Sequence, residues 1–61
     1  MFSIFTVTNG AAFKHADKYP KEEQAFEQAL YMATQFPRGV TIEVVNNRLA
    51  TVARYYGFRD V

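Results

Sequence analysis

The chain has 61 residues, 49% of them hydrophobic, with a formal charge of +1 from seven Lys/Arg and six Asp/Glu and no cysteine. That length holds one domain, residues 1–61, close to the lower limit for folding alone, because about 60 residues bury only roughly 60% of the surface that the unfolded chain exposes. The composition excludes a disulfide scaffold, a thiolate metal centre and a disordered chain, and argues against a protein that lives on phosphate contacts.

Phe2 to Thr8 is apolar and β-branched, which predicts a strand. Asn9-Gly10 then suits a type I′ turn, since both residues tolerate positive φ. A two-residue loop pairs Thr8 with Ala11, Thr6 with Phe13, Ile4 with His15 and Phe2 with Asp17, so a second strand runs from about Ala11 to Ala16. The alternative is a loop from Asn9 to Tyr19, because Ala and Lys form strands poorly.

After Pro20, "KEEQAFEQALYMATQF" places Ala25, Phe26, Ala29, Leu30, Ala33 and Phe36 at helical spacing, with Glu23, Glu27, Gln28 and Gln35 opposite. Glu22 and Glu23 favour the positive end of the helix dipole, whereas Lys21 is a poor cap. Pro37 and Gly39 stop the helix. In "GVTIEVVNNRLATVARYY", Val40, Ile42 and Val44 alternate with Thr41, Glu43 and Val45 to make a third strand. Asn46-Asn47 is the expected turn, and Leu49 to Tyr56 the returning strand. The tail "GFRDV" has no assignment.

The fold expected is α+β: ββαββ, one helix on a four-stranded antiparallel sheet. A right-handed crossover favours strand order 2-1-3-4. Alternation places Phe2, Ile4, Phe13, Val40, Ile42, Val44, Leu49 and Tyr55 under the helix with Phe26, Leu30 and Phe36. The opposite face receives Phe5, Val7, Ala12, Lys14, Glu43, Val45, Val52, Arg54 and Tyr56. A sheet face left in water is normally polar, and this one is not. Either it is a docking surface, or a register change or the folded-back tail covers it.

No chemistry-bearing motif appears. His15 is the sole histidine, and its nearest acidic neighbour in sequence is Asp17; an edge-strand histidine near solvent accounts for it. Glu22, Glu23 and Glu27 read as a solvated helix face. The spacing of metal ligands is absent, and the three glycines fall at turns rather than in a phosphate loop. Neither an enzyme nor a cofactor nor a metal site is expected. No run approaches the ~20 apolar residues of a membrane span. "MFSIFTVTNG" lacks the basic leader of a signal peptide, so a cytoplasmic location without a membrane partner is expected.

Three expectations of partner remain. The first is a protein bound through Phe5, Val7, Lys14, Val52, Arg54 and Tyr56, with edge strands available for strand addition. The second is single-stranded nucleic acid, held by Arg48, Arg54, Tyr55, Tyr56, Phe58 and Arg59, in which cations and aromatics interleave. Glu43 and Asp60 beside them weigh against it. The third is a homodimer that buries the same face.

"FTVTNGAAF" followed by "YPKEEQAFEQALYMATQFPRGVTIEVV" resembles, in pattern and size over about residues 2–56, small phage-encoded proteins that bind and inhibit a host machine. The resemblance implies a stoichiometric inhibitor or adaptor acting on a host protein such as RNA polymerase, a nuclease or another defence enzyme, in the host cytoplasm. Some such inhibitors are acidic DNA mimics, from which a +1 chain with four arginines departs. No functional residue carries over from the resemblance.

Overall fold

A computed structural model describes residues 1–59; Asp60, named above, lies outside the described residues. Among these, strands β1 (Phe2–Thr8) and β2 (Ala11–Tyr19) precede helix α1 (Glu22–Gln35), which is followed by β3 (Thr41–Val45) and β4 (Thr51–Tyr56). The strands form one antiparallel sheet in the order β2-β1-β3-β4, with the helix across one face. This is the α+β fold that the residue pattern predicts. No helix among the described residues is long and apolar enough to cross a membrane.

Asn9 and Gly10 both have positive φ, 51° and 79°, which fits the primed turn that matches strand twist. The pairs Thr8↔Ala11 and Thr6↔Phe13 follow from it, but Ile4 with His15 and Phe2 with Asp17 do not. Phe5 pairs with Lys14 and Ser3 with Lys18, so β2 carries two extra residues opposite Ile4, and Phe2 meets Tyr19. The insertion is even-numbered, so it changes partners without swapping faces. It also lets β2 run to Tyr19, three residues beyond the expected end, until Pro20 removes the next backbone donor.

The helix lays Ala25, Ala29, Met32 and Ala33 on Ile4, Ile42 and Val44, all buried. Alanines four residues apart let its backbone approach the sheet closely, and Phe2, Tyr19, Phe26, Phe36, Ala53 and Tyr55 close the margins. Leu30, expected in this core, is 53% exposed, and Met32 takes that role. On a helix of 3.6 residues per turn, Leu30 stands about 100° round from Ala29, at the flank of the stripe. Phe13 shares the helix side but is 64% exposed, because it lies at the hairpin end of edge strand β2. Its ring meets His15 edge-on at 5.0 Å, and His15 Nε2 lies 3.2 Å from the hydroxyl of buried Thr6.

The second hairpin departs further from expectation. Its turn is not Asn46-Asn47 but a loop from Asn46 to Ala50. The Asn46 side-chain oxygen accepts from the Arg48 and Ala50 amides at 2.9 and 3.0 Å, and the Asn46 amide donates to the Ala50 carbonyl. Leu49, assigned to the core, sits in this loop with φ of 64° and 80% exposure. An asparagine that can bond two downstream amides holds a wider loop than a two-residue turn.

The tail closes the helix end. Pro37 has no N–H for the Ala33 carbonyl, its partner in a continuing helix. The Phe58 amide donates to that carbonyl instead, at 3.0 Å, while the Arg59 amide donates to Phe36 and Gly57 to Val40. Residues 57–59 therefore lie against the helix terminus, not over the other sheet face.

Candidate protein-binding face

Strand registers fix which residues share the face away from the helix. Across the sheet from β2 to β4 they form three rows: Ala12, Val7, Thr41, Tyr56; Lys14, Phe5, Glu43, Arg54; and Lys18, Ser3, Val45, Thr51. Phe5 and Val7 come from the central strand β1 and are half-buried by their row neighbours, while Val45 beside them is buried. Tyr56, at the β4 edge, is 67% exposed.

Glu43 stands at the centre of the middle row. Its Oε1 accepts from the Thr51 hydroxyl at 3.0 Å, and its Oε2 lies 3.4 Å from Arg54 Nε. Both carboxylate oxygens are therefore engaged by β4. Lys14 and Lys18, both exposed on edge strand β2, have no ion-pair partner among the described residues. Phe5, Val7 and Val45 thus flank the engaged Glu43 carboxylate at mid-face, with cations at both lateral edges. The face holds no pocket among the described residues.

Of the residues expected here, Phe5, Val7, Lys14, Arg54 and Tyr56 lie on one face in register. Val52 does not: Val44 pairs with Ala53 and Val45 with Thr51, so Val52 is the extra residue of a bulge. The odd-numbered insertion returns Thr51, not Val52, to the face. Lys18 belongs to the face and was outside the expected strand; Tyr19-Pro20 is the sequence signal for the longer strand, and parity with Lys14 then places it. The six residues considered for nucleic acid scatter instead. Tyr55 packs against the core on the helix side, Arg48 is in the Asn46–Ala50 loop, and Arg59 reaches the Gln35 carbonyl at the helix end. Arg54 and Tyr56 remain together, two residues apart on β4.

His15 and Asp17 do not form a dyad: His15 faces Thr6 and Phe13, and Asp17 acts on Tyr19. Burial, and then the Asp17 carboxylate, push the Tyr19 hydroxyl above the usual tyrosine range. Among the described residues no three His, Cys, Asp or Glu side chains cluster as metal ligands would. No family model, no curated protein and no solved structure matches this chain. The reading of function rests on the site alone.

Proposed function

We propose that this chain is a non-enzymatic, cytoplasmic protein-binding module, a phage-type inhibitor or adaptor that engages a host protein stoichiometrically. RNA polymerase, a nuclease or a defence enzyme is the class of target. The observation that carries this reading is the open sheet face. Phe5, Val7 and Val45 form an apolar centre that the single helix leaves on the far side, rimmed by Lys14, Arg54 and Tyr56. Aromatic and arginine side chains around an apolar centre are the composition of a recognition surface.

The test is capture from the natural host's lysate by the wild-type chain and by a Phe5→Ser/Tyr56→Ser variant, with the captured proteins identified by mass spectrometry. The variant should lose the stoichiometric partner while keeping a cooperative thermal transition. Equal capture by both chains places the binding surface elsewhere.

A second reading is supported by Tyr56 beside Arg54 on one exposed edge: a single-stranded nucleic acid stacked there. It requires affinity for a labelled oligonucleotide that falls steeply with salt. No binding at low salt eliminates it. Self-association through the same face is separated from both by sedimentation at micromolar concentration.

A further inference from the structure

The open face carries three cations, Lys14, Lys18 and Arg54, against one carboxylate, Glu43, so it holds more positive charge than the +1 of the whole chain. Glu43 is already engaged by Thr51 and Arg54, and the two lysines have no carboxylate partner among the described residues. The face is also small. Strands about 4.8 Å apart and about 20 Å long give four of them roughly 400 Å² in plan. Stable interfaces use about 800 Å² from each partner. A face of that size, only part of it apolar, orients a partner but does not hold it by apolar contact alone, so the rim charges must be matched.

Those charges discriminate between occupants. A second copy is disfavoured by symmetry. A twofold axis along the strands at mid-sheet lays Lys14 over Arg54, and one across the strands through the middle row lays Lys14, Arg54 and Glu43 each over its own mate. Like charges face one another in both arrangements, and such juxtapositions suppress a pairing. A nucleic acid would meet the Glu43 carboxylate at mid-face. Its bases would find one well-exposed aromatic, Tyr56, with Phe5 sunk between Lys14 and Glu43 in its row.

We propose that the open face binds a protein surface in which carboxylates surround an apolar or aromatic centre, its acidic groups meeting Lys14 and Lys18 at one edge and Arg54 at the other. This rests on the reading of the face as a docking surface and adds the chemistry of what docks. Lys14 and Lys18 then act as steering and specificity residues, and β2 is the edge at which the partner is selected.

Amide-resolved NMR titration tests it, with a Glu/Tyr copolymer, a Lys/Tyr copolymer and a thymidine oligonucleotide as probes. The Glu/Tyr polymer should shift the amides of Phe5, Val7, Lys14, Lys18, Arg54 and Tyr56. A Lys14→Glu/Lys18→Glu variant, whose spectrum reports that the fold is intact, should bind it about tenfold more weakly. If the Lys/Tyr polymer binds this face as well or better, the acidic partner is overturned while the docking face stands. Oligonucleotide binding to these amides, tighter than the Glu/Tyr polymer, overturns it in favour of nucleic acid. If no probe shifts the face, both the partner chemistry and the docking reading fall.

Discussion

Gly57 is the glycine whose added methyl group would meet the backbone, because it lies against the residues that end the helix. A Cβ there would press on the Pro37 carbonyl oxygen and come within 2.6 Å of that of Phe36, and neither can swing aside as a side chain could. Gly57→Ala should destabilise the fold by about 2–3 kcal/mol, as steric defects in a packed backbone do. In a domain this small each kcal/mol lowers Tm by about 4–8 °C, so a thermal scan decides it; an unchanged Tm would mean that the tail contact contributes nothing. Tyr19 supports a prediction of opposite character, in pH. Its hydroxyl titrates above the ordinary tyrosine range in the folded chain, first through burial and then through Asp17, and at the ordinary value once unfolded. The folded state therefore holds the proton more tightly. The stabilisation is complete below the unfolded pKa and is lost as pH rises through the folded one. The urea midpoint should fall above about pH 10, less steeply in Tyr19→Phe, and Asp17→Asn should remove the coulombic part of the difference.

At the scale of elements, two local choices oppose the structure they sit in. Lys21 precedes the first turn of α1 in an extended conformation and makes no side-chain cap. Lys21→Asp supplies an acceptor and a charge suited to the dipole, and should stabilise by about 1 kcal/mol. Leu49 holds φ of 64°, where a side chain strains the backbone, yet is exposed. Leu49→Asn should raise the urea midpoint by an amount equivalent to about 1 kcal/mol. A fall would show that Leu49 makes a contact worth more than the strain. The same two elements show what residue patterns disclose. The helix was legible, because Ala25, Ala29 and Ala33 recur at four-residue spacing between Pro20 and Pro37. The second hairpin was not: "NNRLA" offers Asn46-Asn47 as a turn, and only the two hydrogen bonds to the Asn46 side chain select the wider loop. Bulges are equally silent, since an extra residue such as Val52 leaves the apolar alternation of its strand looking continuous. Turn chemistry and periodicity are local signals, whereas register depends on a partner strand far along the chain.

In the whole molecule, β1 and β3 lie inside the sheet, and β2 and β4 are its edges. Ile4, Ile42 and Val44 are fully covered by the helix, whereas most of β2 is exposed. Hydrogen exchange should rank accordingly: amides of β1 and β3 open only with global unfolding, and those of β2 and β4 sooner. Edge amides as slow as those of β1 would mean that the sheet opens as one unit. Strand order was readable because a helix joining strand 2 to strand 3 leaves few right-handed solutions. Membership of the open face was readable for Phe5, Val7, Lys14, Arg54 and Tyr56 from parity alone, and failed at Val52 in the β4 bulge and at Lys18, beyond the expected end of β2. The path of residues 57–59 was not, since Pro37 advertises a missing donor but no pattern says that Phe58 supplies it. The donor that the helix lacks comes from Phe58, so helix end and tail are clasped across the whole of the second hairpin. Cutting the chain before Gly57 would therefore remove no helical residue and still unwind the final turn of the helix, an injury felt far from the cut.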